Sequence, residues 1–311
     1  MVRRLIHLLL AAGLSFAFLA SRAGALEPVP VAEAVYAFIG NSVQRAAESR
    51  VEVGNAGFIV GRDGVIVVDT GISLRHGRAM IEAIRRITDR PIALVVITHA
   101  AQGFVFGSAA FADLQVPLLT HARSAQLMRQ RCERCLRDLQ RILGPETMAG
   151  TRLVVPQQTV DVSTALALAD RHVELLYYGW ASTPGDIAVY DPASGALFAG
   201  ALVTNRRIPE VRDAKLDGWL RALDQLARVS AKVIVPGHGT VGGPELIDDT
   251  ARYLRALDDK VQHLYRGGAS LQDAVDNSAL PEYAGWAQYP SLHRQNVLHR
   301  YLQLELEELG G

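Results

Sequence analysis

The stretch "VVITHAAQGFVFGS", residues 95–108, begins as a strand and ends in a loop that carries little chemistry. Val95, Val96 and Ile97 are apolar and β-branched, which suits a strand buried on both faces. Thr98 and His99 follow at its end. Polar side chains there, in sheets of alternating strands and helices, face a site rather than a core. After His99 the chemistry stops, because Ala101, Gly103 and Phe104 neither ligate a metal nor move a proton.

Outward from this stretch the chain alternates strands and helices. "GFIVGRDGVIVVDTGIS" (57–73) reads as a hairpin turning at Arg62–Asp63–Gly64. "HGRAMIEAIRRIT" places Met80, Ile81, Ile84 and Ile87 at helical spacing. "PIALVVIT" and "VPLLTH" (116–121) are further strands. Residues 122–143 read as a long helix with Met128, Cys132, Cys135, Leu139 and Ile142 on one stripe. The second half repeats the habit. Strands fill "TVDVSTALALADRHVELLYYG", and a hairpin turns at Pro192–Gly195. An amphipathic helix spans 216–229, and the strand "KVIVPGHG" (232–239) ends in glycines. From about 244 the chain is mainly helical. Two halves of this kind predict two packed sheets with helices outside.

The 311 residues, 49% of them hydrophobic, can bury a sizeable core. Lys+Arg and Asp+Glu both number 32, so no basic face points to nucleic acid. The N-terminus reads as a leader. Arg3 and Arg4 precede the apolar "LIHLLLAAGLSFAFLA", and "AGA" at 23–25 is a small-residue cleavage site. Cleavage after Ala25 removes three arginines and leaves 29 basic against 32 acidic residues. The expected product is periplasmic, with no stable membrane insertion once the leader is gone. The expected organisation is a leader over 1–25, a main domain over 26–240 and a helical extension over 241–311 packed on the same domain.

The series "VIVVDTG", "VVITHAAQGFVFGS", "GWASTPGDIAVY", "LFAGALV" and "VIVPGHGT" resembles, in order and spacing, the metallo-β-lactamase fold superfamily across about residues 35–240. The resemblance implies an αββα sandwich with a zinc site at one edge. Its ligand pattern runs H-x-H-x-D-H, then a histidine before T-P-G-D, an aspartate after a glycine, and a histidine in P-G-H. Zinc takes imidazole and carboxylate donors and keeps a position open for water. Carried over, His99 keeps the first histidine and His238 the last. The other five positions fall on Ala101, Gly103, Phe104, Ser182 and Ala201. No cofactor is therefore expected. Phe104 puts an aromatic ring where the family has an imidazole, and such a ring can fill the missing metals' space. The cysteine pair and the tail "HRQNVLHRYLQLELEE" also resemble the secreted zinc metallohydrolases associated with bacterial quinoprotein systems.

Asp69 and Asp186 read as carboxylates that fix loops rather than as bases. His121 reads as a helix cap, and His293 and His299 as surface or packing residues. Ser182 has no base to activate it. Cys132 and Cys135, "CERC", in an exported chain favour a disulfide, with buried thiols or a redox pair as alternatives. Three functions stay open. The first is a non-catalytic periplasmic binding or accessory protein, taking a small molecule or a protein partner in the old cleft. The second is a metal-dependent hydrolase using His99, His238 and unanticipated ligands. The third is a redox role for the cysteine pair.

Overall fold

A computed structural model describes residues 26–40, 42–44 and 50–309. The leader expected over 1–25 lies outside the described residues. The first half runs β1 (Val29–Ala32), β2 (Val35–Phe38), a small hairpin of β3 (Ser42–Gln44) and β4 (Arg50–Glu52), β5 (Ala56–Val60), β6 (Val65–Val68), α1 (Leu74–Ile87), β7 (Ile92–Val96), α2 (Gln102–Val105), α3 (Ser108–Ala112), β8 (Leu118–His121) and α4 (Ala122–Met148). The second half runs β9 (Gln158–Val160), β10 (Thr164–Leu168), β11 (Arg171–Leu176), β12 (Ala188–Asp191), β13 (Ala196–Thr204), α5 (Leu216–Leu226), β14 (Val233–His238), α6 (Glu245–Arg266), α7 (Leu271–Asn277) and α8 (Arg294–Leu309).

Seven strands form one sheet in the order β1-β2-β5-β6-β7-β8-β9, and five form the other in the order β10-β11-β12-β13-β14. Each is antiparallel at one side and parallel at the other, with β6, β7, β8 and β9 parallel and β14 parallel to β13. The sheets meet through Ile59, Ile66, Val68, Leu94 and Val96 against Val173, Leu175, Val189, Phe198 and Val235. The outer face of the seven-stranded sheet is covered by α1, α3 and α4, through Met80, Ile84, Phe111, Met128 and Leu139. The helices α5, α6 and α8 cover the other sheet around Trp219, Tyr253, Leu254 and Val297. This is the αββα sandwich. Central strands are covered on both faces, which explains continuous apolar runs rather than alternation.

Local chemistry sets the helix limits. Ser73 caps α1 by accepting from His76 N–H. His121 caps α4, its Nδ1 accepting from Arg123 N–H. Gly144, at φ 79°, kinks α4 just before Pro145, at the expected end at 143, and further helical turns run on to Met148. Two residues that spacing places on the apolar stripes are exposed. Ile87 ends α1 in solvent, and Ile142 is exposed on α4. The buried stripe of α4 instead runs through Leu127, Met128, Cys132, Leu136, Leu139 and Leu143. Among the described residues no helix is long and apolar enough to cross a membrane.

Candidate functional site

The end of β6 sets the site. Asp69 follows Val68 in the left-handed region, φ 58°. This turn aims its carboxylate at the end of β7. Thr98 N–H donates to one carboxylate oxygen at 2.8 Å and Thr98 Oγ1–H to the other at 2.7 Å. With its proton given to Asp69, the Thr98 hydroxyl accepts from His99 Nδ1–H at 2.8 Å. That arrangement fixes the His99 tautomer and leaves Nε2 unprotonated. Gly200 leaves room for this hydroxyl, since a Cβ there would lie 2.6 Å from Thr98 Oγ1.

The loop after His99 is held by backbone. Thr70 N–H and Oγ1–H both donate to Phe104 O, at 2.9 and 2.8 Å. Gly107 N–H donates to Gly71 O. On the opposite rim, Asp186 accepts from Thr183 N–H at 2.6 Å and Thr183 Oγ1–H at 2.7 Å, and Ile187 N–H donates to Thr98 O. Burial, resisted by the Thr98 and Thr183 hydrogen bonds, raises Asp69 and Asp186 to about 7. It lowers His99 to about 3. His238 is also held well below the ordinary imidazole value, by burial and then by the Arg207 and His99 charges.

Phe104 stands beside both imidazoles. Its ring centroid lies 4.2 Å from that of His99 and 5.3 Å, edge-on, from that of His238. The ring rests on Gly54, where a Cβ would lie only 1.9 Å from Phe104 Cζ. Ala101, Gly103, Phe104 and His238 line one cleft of about 210 Å³. Ser182 is buried and Ala201 half-buried, and neither lines this cleft.

The rest of the cleft comes from residues the sequence did not single out. Arg207 Nε donates to Glu52 Oε2 at 2.7 Å, and Gln288 Nε2 donates to Glu52 Oε1 at 2.9 Å. Gln102, Glu210 and Gln295 complete the polar walls. The wall from the C-terminal helical region is latched to the site, with Ala287 N–H donating to Arg206 O and Ile208 N–H to Ala287 O. Gln288 itself sits at φ 67°, a strained conformation for a side-chain-bearing residue. Glu52, Arg207 and Gln288 meet across 155 and 236 residues of chain. No local pattern marks such a meeting.

A zinc ion does not fit these donors. A site needs three or four ligands converging on one point. Here a phenyl ring packs against both imidazoles, the nearby carboxylate of Asp69 is engaged by Thr98, and Ala101 and Gly103 offer no side-chain donor. Among the described residues no three His, Cys, Asp or Glu side chains converge. Cys132 and Cys135 are elsewhere, on α4, and both are free thiols, so the expected bridge is not formed. They stand three apart within a regular helix, where Cβ vectors diverge. The Cys132 thiol hydrogen-bonds to Cys135, which raises Cys132 and, with Arg212 nearby, lowers Cys135 to about 6.

The family model of the metallo-beta-lactamase superfamily matches residues 49–238, the span that holds both retained histidines. The chain belongs to that superfamily. It is 25% identical over 287 residues to a linear primary-alkylsulfatase of a Pseudomonas species, covering 80% of this chain and 54% of that one. It is 31% identical over 103 residues to a metallo-beta-lactamase type 2 of Bacteroides fragilis, covering 32% and 41% of the two chains. The chain thus spans about half the length of these relatives or less. Among solved structures, a metallo-beta-lactamase from Pontibacter korlensis superposes with a TM-score of 0.62 at 22% identity, over 74% of this chain and 99% of that one. The mono-zinc form of the FIM-1 metallo-beta-lactamase from Pseudomonas aeruginosa gives 0.61 at 20%, over 73% and 94%. These likenesses carry the fold, of a hydrolase-type family whose members include a zinc-bound one.

Proposed function

We propose that this chain is a non-catalytic, metal-free member of the superfamily that binds a small polar molecule in the cleft beside Phe104. The observation that carries this reading is the Phe104 ring, seated on Gly54 and packed against both His99 and His238. It packs against both remaining donors and occupies space beside them. Without a bound metal, no water has its pKa brought toward neutrality. His99, held neutral to about 3, is too weak a base to replace it. What is left is a cleft walled by amides and by an internally paired Glu52–Arg207, which suits hydrogen bonding to a small polar ligand. Export belongs to the same proposal, supported by the leader-like residues 1–25. A periplasmic oxidation system as its setting rests on the resemblance of the tail and cysteine pair alone.

The alkylsulfatase relative supports a second reading, a hydrolase of sulfate esters or related bonds. That reading needs a metal held by His99, His238 and further ligands. The test is elemental analysis of protein purified without a metal-affinity tag, with turnover assays on a linear alkyl sulfate and a β-lactam. Sub-stoichiometric zinc and no turnover, even with added zinc, are expected. One or two zinc ions per chain, with turnover lost in His99→Ala and His238→Ala, overturn the proposal. Binding is read by thermal shift across a panel of small polar molecules, where stabilisation must vanish in Gln288→Ala.

A further inference from the structure

The last helix carries two faces. Asn296, Val297, Arg300 and Tyr301 of α8 are buried against α6 and the loop before α5. Asn296 Nδ2 donates to Pro209 O and Arg300 pairs with Asp258. On the opposite face Leu298, Leu302, Leu306 and Leu309 are 36–84% exposed. Their spacing of four, four and three residues makes one continuous stripe along the helix. Together they expose roughly 400 Å² of apolar surface, which is the size of the largest patch on an ordinary monomer. None of the four belongs to the buried cluster.

We propose that this stripe is the interface of a symmetric homodimer in which α8 packs antiparallel against α8 of a second copy. Charge decides the direction. Arg294, paired within its own copy with Asp276, stands at the N-terminal end of the stripe. Glu305 and Glu308 stand beside its C-terminal end, Glu308 also accepting from Tyr265 Oη–H, while Glu307 turns to Arg300 on the buried face. An antiparallel pair sets Arg294 of each copy near the acidic end of the other, with Leu302 close to the two-fold axis. A parallel pair would stack acid on acid. Antiparallel helix dipoles add to the preference. The contact is isologous, so it closes at two copies and does not propagate. Glu305 and Glu308 lie beside the two most exposed leucines, which disfavours an anionic lipid surface as the occupant. With flanking polar side chains the contact buries about 1,000 Å² in total, the low end for a specific interface.

Sedimentation equilibrium of the purified protein tests this. At about 100 µM the protein should be mainly dimeric, in keeping with an interface of this size. The Leu302→Glu/Leu306→Glu variant should be monomeric at that concentration. Its circular dichroism should match that of the unaltered protein, and its thermal melting should match that of the unaltered protein at dilutions where the latter is monomeric. Arg294→Glu and Glu308→Arg should each weaken the dimer at least about threefold, and their combination should restore it. A monomer at every concentration, or a leucine variant that still dimerises, overturns the proposal. Failure of the combined charge reversal overturns the antiparallel arrangement. Co-flotation of the monomer with phosphatidylserine-containing vesicles, lost in the leucine variant, would assign the stripe to lipid instead.

Discussion

Gly54 and Phe104 are bound to each other's size, and a double-mutant cycle measures the bond. Phe104→Ala removes a buried ring in contact with His99 and His238 and leaves a cavity, which typically costs about 3–5 kcal/mol. Gly54→Ala adds one methyl at a backbone conformation that alanine tolerates. That methyl would lie 1.9 Å from Phe104 Cζ and 2.1 Å from Cε1. The ring cannot slide easily, because imidazoles pack against it. The single change should therefore cost about 2–3 kcal/mol, the upper part of the overpacking range. In the double variant the clash is gone, and the methyl added at position 54 fills part of the cavity. Its total loss should fall about 2 kcal/mol short of the sum of the singles, well beyond the error of additivity. Urea unfolding at pH 7, followed by circular dichroism with matched slopes, gives the four values. Losses that add to within about 0.5 kcal/mol would show that the ring and the glycine are independent, and would refute the reading of Phe104 as a fitted plug.

Stability should fall in mild acid, because folded His99 refuses a proton until about pH 3 while the unfolded chain takes one near 6.5. Above 6.5 this residue contributes no pH dependence. Between 6.5 and 3 it costs up to about 1.4 kcal/mol per pH unit, a slope that His99→Gln should remove from urea titrations at about pH 6, 5 and 4. Asp69 works in the opposite sense, since its folded carboxyl holds a proton up to about 7 and the unfolded one only to its ordinary acidic value. It stabilises the fold as pH falls through 7, so Asp69→Asn should steepen the loss in acid. In reduced protein, iodoacetamide at about pH 7 should modify Cys135 well before Cys132, because the Cys132 thiol and Arg212 favour the Cys135 thiolate while Cys132 is buried. Equal labelling by mass spectrometry would count against that asymmetry.

What the sequence reveals depends on the range of the interaction that places each residue. The hairpin 57–73 and the strand 95–97 are legible because turn chemistry and β-branched runs act locally. His121 as a cap is legible for the same reason. Ile87 and Ile142 mislead, because a helical stripe gives the direction of burial but not how far the covering layer extends. The cysteine spacing suggests a bridge, yet α4 runs unbroken through both residues. The Glu52–Arg207–Gln288 clamp is invisible to any local reading. It exists only after the second sheet and the C-terminal helices have brought three distant segments to one rim.

The loop that keeps a zinc family's shape without its donors can do so because its shape never depended on those donors. Its position is fixed by Thr70 on Phe104 O, by Gly107 on Gly71 O, and by Asp69 on Thr98. Every one of these bonds uses a main-chain group, a hydroxyl or a carboxylate outside the seven family positions, or the main chain of Phe104 itself. Side chains at 101, 103 and 104 were therefore free to change without unfolding the turn. What could not be left was a void beside the buried imidazoles, because close packing penalises empty space. An aromatic ring at 104 fills that space, but only if residue 54 has no Cβ. A metal-binding version of this site would need that space for donors and water. Phe104 and Gly54 are thus the pair on which the proposed metal-free reading of the cleft turns, and they act through shape before any charge is considered.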